Sequence, residues 1–270
     1  MADKRPIGVF DSGLGGLTVV KEIIKELPFE DIIYFGDTGR VPYGTRSVET
    51  IKKYARQDEK FLLSQDVKLI IAACGTVSSV AGDTAKELPV PFFEVVSHAS
   101  RQAVNESKNG KIAVIGTNAT VKSGQHKAEI LKINPNAEVI TVACPLFVPL
   151  VEEGWYKGDD IIVLETVKRY LQPIIEFGAD TLILGCTHYP VLSEAIKKVL
   201  GDGVVLINAG TEVAKAVAKY LKDNSLDNQN GGEAEFFVSD KPDFFKEQAS
   251  VLLECEIDEN KVQKVDINNL

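Results

Sequence analysis

Leu69-Ile70-Ile71-Ala72-Ala73-Cys74-Gly75-Thr76, echoed at Leu182-Ile183-Leu184-Gly185-Cys186-Thr187-His188, is the stretch on which the fold turns. Each copy is an apolar run that reaches a small residue, then Cys, then hydrogen-bond donors. A run this short, flanked by loop formers, reads as a buried strand of a parallel sheet. Ligands of open α/β sheets bind beyond the carboxyl ends of such strands. The two runs predict an α/β protein with mainly parallel sheets flanked by helices, and one site with a sulfur on each side.

Upstream of the first run, Ile7-Gly8-Val9-Phe10 leads into Asp11-Ser12-Gly13-Leu14-Gly15-Gly16, after which Val20, Ile23, Ile24 and Leu27 recur at helical spacing. The pattern is strand, glycine loop, helix. The loop resembles a phosphate cradle, but Thr18 stands where the dinucleotide fingerprint needs its last glycine, and the Gly-Lys-Ser/Thr of a P-loop is missing. Asp11 and Ser12 sit at a strand end, where they could meet a ligand or merely cap the helix. Asp31-Ile32-Ile33-Tyr34-Phe35-Gly36-Asp37 predicts a second strand ending in another carboxylate, followed by the turn-rich Thr38-Gly39-Arg40-Val41-Pro42-Tyr43-Gly44. Residues 47 to 64 read as a helix with Val48, Ile51, Tyr54, Ala55 and Phe61 inward. Phe92 to Val96 reads as a strand, with Ser97 as the cap of the helix after it.

From Lys111 the order repeats. Ile112 to Thr117 resembles Ile7 to Ser12, Glu138 to Thr141 resembles Asp31 to Tyr34, Val148-Pro149 resembles Val41-Pro42, and the second Cys run follows, all at offsets of roughly 105 to 112 residues. This predicts an internal duplication, with two halves giving strand ends to a common cleft. Residues 204 to 207 read as a further strand and 211 to 222 as a helix. The tail, with Phe236-Phe237-Val238 and then Phe244, Phe245 and Leu252, is expected to pack on the first half. The expected domains are therefore residues 1–97 with 208–270, and residues 98–207.

With 270 residues, 44% of them hydrophobic, the chain can bury one large core or two modest ones. A net charge of −9 without any long Lys/Arg run argues against nucleic acid as a partner. No stretch is long and apolar enough for a membrane span, and Met1 to Pro6 leads straight to a strand, so a cytoplasmic location is expected. Cys74, Cys144, Cys186 and Cys255 lack the dense spacing of a disulfide scaffold, so reduced thiols are expected.

Several chemistries fit two strand-end thiols. Taken singly, such a Cys is usually a small buried apolar residue. Zinc fits poorly, because no Cys-x-x-Cys pair is present and the chain has 3 His. A redox pair would join separate halves in a reducing compartment. A hydrolase with Cys186 as nucleophile and His188 as base would need an unusual turn to bring the two together. The remaining reading uses both sulfurs as acid and base on opposite faces of one carbon, which is what inverting a stereocentre with a removable hydrogen requires. Asp11 could then orient or activate Cys74, and His188 with Glu152 or Glu153 could do so for Cys186.

The motifs Asp11 to Thr18, Tyr34-Phe35-Gly36-Asp37-Thr38, Val41-Pro42-Tyr43-Gly44, Cys144 to Leu150 and Gly185-Cys186-Thr187-His188-Tyr189-Pro190 together resemble the bacterial glutamate racemase family over essentially the whole chain. The resemblance implies cofactor-independent interconversion of L- and D-glutamate, with no metal, to supply peptidoglycan synthesis, by an enzyme that is commonly a homodimer. It puts the catalytic thiols at Cys74 and Cys186 and the assisting acidic positions at Asp37 and Glu152, with Glu153 as the rival to Glu152, beside the roles already read for Asp11 and His188. It puts substrate contacts at Asp11, Ser12, Pro42, Tyr43, Gly44, Gly75, Thr76, Thr117, Thr120, Thr187 and His188. The chain departs from the family pattern at Gly75, where Asn is usual, and also at Gly39, Ser97-His98 and Asn208-Ala209. The missing amide at position 75 is expected to weaken binding by about 1 to 3 kcal/mol if a buried partner is left unpaired. These departures leave room for another acidic substrate such as aspartate, or for an acid-binding relative without catalysis.

Overall fold

Alternation along the strands is what builds the two sheets. A computed structural model describes residues 3–253 and 255–267, so Met1 and Ala2 lie outside the described residues. The strands are β1 (Ile7–Asp11), β2 (Ile32–Gly36), β3 (Leu69–Ala72), β4 (Phe92–Glu94), β5 (Lys111–Gly116), β6 (Glu138–Ala143), β7 (Thr181–Leu184), β8 (Val205–Asn208), β9 (Ala234–Val238) and β10 (Val262–Lys264). The helices are α1 (Leu17–Glu26), α2 (Val48–Ser64), α3 (Gly75–Val80), α4 (Val95–Glu106), α5 (Asn118–Ser123), α6 (Gln125–Ile133), α7 (Phe147–Glu152), α8 (Ile161–Phe177), α9 (Ser193–Leu200), α10 (Ala209–Asp223) and α11 (Pro242–Leu253).

One sheet has the order β10-β9-β2-β1-β3-β4 and the other β6-β5-β7-β8, with parallel pairing throughout the described strands. Removing β9 and β10 leaves the same order in both. The registers agree as well: Ile7 pairs with Ile32 and Leu69, while Ile112 pairs with Val139 and Thr181. The repeat read from the sequence is thus a repeat of topology, and it puts Cys74 and Cys186 just past equivalent strands.

Side chains alternate between two faces, as the pleat requires. Ile7, Val9, Leu69 and Ile71 join Ile112, Val114 and Ile183 in one core, together with residues of α1, α4 and α10. The opposite faces are separate: Phe10, Ile70 and Ala72 pack with α2, while Ala113, Ile115, Leu182 and Leu184 pack with α8 and α9. Helices α1, α4 and α10 therefore form a middle layer shared by both sheets, and the expected division at 97/98 falls inside α4. The tail packs on the first sheet as expected, with β9 beside β2 and α11 against α1.

Three local expectations need correction. Phe92 to Val96 is a strand only to Glu94, because α4 starts at Val95. Its cap is Glu94, whose carboxylate accepts from the backbone N–H groups of Val96 and Ser97 at 2.6 and 2.9 Å, so Ser97 is a first-turn residue. Val48 is 49% exposed, because it opens the first turn of α2 on the solvent side, while Ile51, Ala55 and Phe61 are buried.

Candidate active site

The carboxyl ends of β1, β3, β5 and β7 meet around a cavity of about 240 Å³. Its walls include Ser12, Pro42, Tyr43, Gly44, Cys74, Gly75, Thr76, Thr117, Glu152, Cys186, Thr187 and His188, all expected from the sequence. Gly13, Val41, Thr45, Asn118, Pro145, Val148 and Pro149 complete it and were not named as site residues. Their signal was adjacency, since each lies within or beside a motif. Among these lining residues the ionisable side chains besides the two thiols and Tyr43 are Glu152 and His188; no Lys or Arg contributes.

Cys74 is the residue before α3, and its Sγ donates to Ser12 Oγ at 3.5 Å. Burial, reinforced by the negative charge of Asp11, pushes this thiol up to about 12, so it holds its proton at neutral pH. Asp11 does not line the cavity. It is fully buried behind the glycine loop, where Oδ2 accepts from Gly13 N–H at 3.0 Å and Oδ1 has no hydrogen-bond partner; burial raises it above the ordinary carboxyl range. Its effect on Cys74 is through charge, while the contact is made by Ser12.

Cys186 and His188 meet, with Sγ 3.8 Å from Nδ1, because residues 186–188 turn sharply from β7 into a short 3-10 helix at Tyr189–Leu192. The contact that the sequence reading counted against is therefore made. His188 Nε2 lies 3.2 Å from Glu152 Oε1 at the end of α7, so Glu152 rather than Glu153 is the acidic neighbour. Burial alone would push His188 down, but its contacts with Cys186 and Glu152 outweigh that and hold it up at about 10. The imidazole is therefore a cation at neutral pH, lying between a sulfur and a carboxylate.

The two halves interlock around these groups. Thr18 Oγ1 at the start of α1 donates to Thr187 O at 2.8 Å, and Thr76 Oγ1 lies 3.1 Å from Thr117 Oγ1. Thr120 stands behind the wall, 3.1 Å from Thr117 Oγ1, to which it also gives its backbone N–H. Gly75 lies so close to Gly185 that any Cβ there would collide with the carbonyl oxygen of Gly185. The departure from Asn at this position is thus built into the approach of the two strand ends. Asp37 is buried outside the cavity and bonded to Arg40, Tyr43 and Ser239. Cys144 is buried and Cys255 exposed, and neither lines the cavity. No group of three or more His, Cys, Asp or Glu suited to a metal ion occurs among the described residues. No described helix is long and apolar enough to cross a membrane.

Comparison with known proteins agrees with this geometry. The profile of the Asp/Glu/hydantoin racemase family matches residues 7–217. A glutamate racemase of Geobacter metallireducens is 46% identical over 241 residues, 88% of each chain. Among solved structures, a glutamate racemase isoform of Bacillus anthracis superposes with a TM-score of 0.92 at 36% identity, covering 97% of both chains. The glutamate racemase of Francisella tularensis in complex with D-glutamate gives 0.91 at 40% identity, covering 99% of this chain and 100% of that one.

Proposed function

The chain belongs to the Asp/Glu/hydantoin racemase family, and from that premise we propose that it interconverts L- and D-glutamate without a cofactor, supplying D-glutamate for peptidoglycan. The observation that carries the reading is the pair of cysteines at equivalent strand ends of two like-ordered sheets, both opening on one cavity. One sulfur, as thiolate, removes the Cα proton: the C–H bond breaks, an S–H bond forms, and the electron pair stays on carbon, delocalised into the α-carboxylate. The opposite thiol then gives up its proton to the other face of Cα, its S–H pair remaining on sulfur.

The surroundings make the pair unequal. Buried Cys74 beside Asp11 is the resting acid. The His188 cation lies 3.8 Å from Cys186 Sγ, and Glu152 holds that imidazole in place. The hydroxyls of Ser12, Thr76, Thr117 and Thr187, the Pro42–Gly44 segment and the backbone of Gly75 hold the substrate's charged ends. Neutral donors suit this task, because an enclosed site strengthens each hydrogen bond. The enzyme works in the cytoplasm as a homodimer, a state that sedimentation would test.

The deciding experiment incubates each enantiomer of glutamate, and separately of aspartate, in heavy water without pyridoxal phosphate. Racemised glutamate deuterated at Cα is the expected product. Binding without exchange would overturn catalysis, and exchange confined to aspartate would reassign the substrate.

A further inference from the structure

Behind the Pro42–Gly44 wall of the cavity lies a buried polar cluster that the proton-transfer chemistry does not use. Asp37, just past β2, and Asp58, on α2, are both fully buried. Arg40 joins them, with Nε 2.5 Å from Asp37 Oδ2 and Nη2 3.1 Å from Asp58 Oδ1. Its Nη1 donates to Gln57 Oε1 at 2.6 Å, and the guanidinium lies 4.1 Å over the Tyr54 ring. Ser239, just past β9, donates to Asp37 Oδ1 at 2.7 Å. Into this cluster reaches Tyr43, whose hydroxyl donates to Asp37 Oδ2 and also lies 3.1 Å from Asp58 Oδ2.

A phenol carries one hydrogen. If Tyr43 spends it on Asp37, its contact with an ionised Asp58 sets two lone pairs face to face in a site without water access. A proton on Asp58 removes the conflict and gives a continuous chain, Asp58 O–H to Tyr43 oxygen and Tyr43 O–H to Asp37. It also balances charge, leaving one guanidinium against one carboxylate, and an unpaired buried charge is costly. We infer that Asp58 is a positioning residue: it is held as a neutral carboxylic acid that donates to Tyr43 and so fixes the Pro42–Gly44 wall against the substrate.

The groups facing Asp58 agree with this assignment. Burial and the Asp37 charge push its carboxyl well above the ordinary range, with Glu59 on the same helix adding to the push and Arg40 opposing it. Tyr43 is likewise held well above the usual phenol range by burial, with the Asp37 charge and hydrogen bond adding to the push, so it stays a donor. The wall matters because Gly44, next to Tyr43, packs directly on Thr117 of the opposite half.

The inference rests on the cavity being the reaction site, and its test separates the two ideas. Asp58→Asn keeps a neutral donor of the same shape, whereas Asp58→Leu removes it. Infrared difference spectra of wild type against Asp58→Asn, recorded near neutral pH without substrate, should show the C=O band of one protonated carboxyl in the wild type. A carboxylate band in its place would overturn the assignment. As pH rises from the ordinary carboxyl range, the melting temperature should fall more steeply in wild type than in Asp58→Asn, since the stabilisation by a raised acid is complete below its unfolded pKa and is lost as pH rises through the folded one. Parallel curves would also overturn it. Both readouts stand even if the protein racemises nothing. For activity, Asp58→Asn should keep KM within about threefold, while Asp58→Leu and Tyr43→Phe should raise it about tenfold with a smaller change in kcat. Equal damage by Asn and Leu would remove the positioning role.

Discussion

Cys74 and Cys186 occupy matching positions in unlike surroundings, one beside a buried carboxylate and the other beside a cation. On the proposed two-thiol mechanism, replacing either sulfur by a hydroxyl removes a proton carrier, so Cys74→Ser and Cys186→Ser should each lower racemisation by about 10² to 10⁴-fold, measured by circular dichroism of glutamate. Full activity in either variant would remove that residue from the mechanism. His188 gives a pH signature. Its folded value of about 10 lies above the ordinary imidazole value of 6.5, so its contribution to stability is complete below about 6.5 and lost as pH rises toward 10. The margin in melting temperature of wild type over Glu152→Gln should therefore shrink across that range; a constant margin would show that Glu152 does not raise His188. Gly75 makes the third residue-scale prediction. A Cβ there meets the Gly185 carbonyl, so Gly75→Ala should cost about 1–3 kcal/mol in denaturant unfolding, and Gly75→Asn should weaken binding rather than restore it. The sequence marked this glycine as a departure but read it as a missing amide. The reason it must be small is a contact across the cleft.

Among the elements, α4 separates local from tertiary information most clearly. Sequence rules chose Ser97 as its cap because Ser is a frequent N-cap, yet Glu94 does the work with both carboxylate oxygens. Glu94→Ala should lower stability by about 1 kcal/mol in denaturant titrations, and Ser97→Ala should change it little. The reverse ranking would restore Ser97. Strands β1, β3, β5 and β7 were legible because double burial leaves an unmistakable apolar run. β10 was missed, because an edge strand of three residues with two exposed side chains carries no such run.

Across the whole molecule, the shared middle layer is the decisive feature. Val9 and Ile71 of one sheet and Val114 and Ile183 of the other belong to one core, so the halves should unfold together. Calorimetry and far-ultraviolet circular dichroism should give a single coincident transition that Ile183→Ala and Ile71→Ala each shift as a whole, at a cost of about 2–5 kcal/mol. Two resolved transitions would mean independent halves. The sequence by itself determined the α/β class, the duplicated order of strands and the two thiols at strand ends, because periodicity and residue type are written locally. Only the tertiary structure decided that Asp11 stands behind the cavity, that Glu152 and not Glu153 meets His188, that Asp58 belongs to the Tyr43 cluster, and that Gly75 is required by Gly185. The Gly75–Gly185 and Glu152–His188 contacts join segments far apart in the chain, and no local pattern encodes that distance.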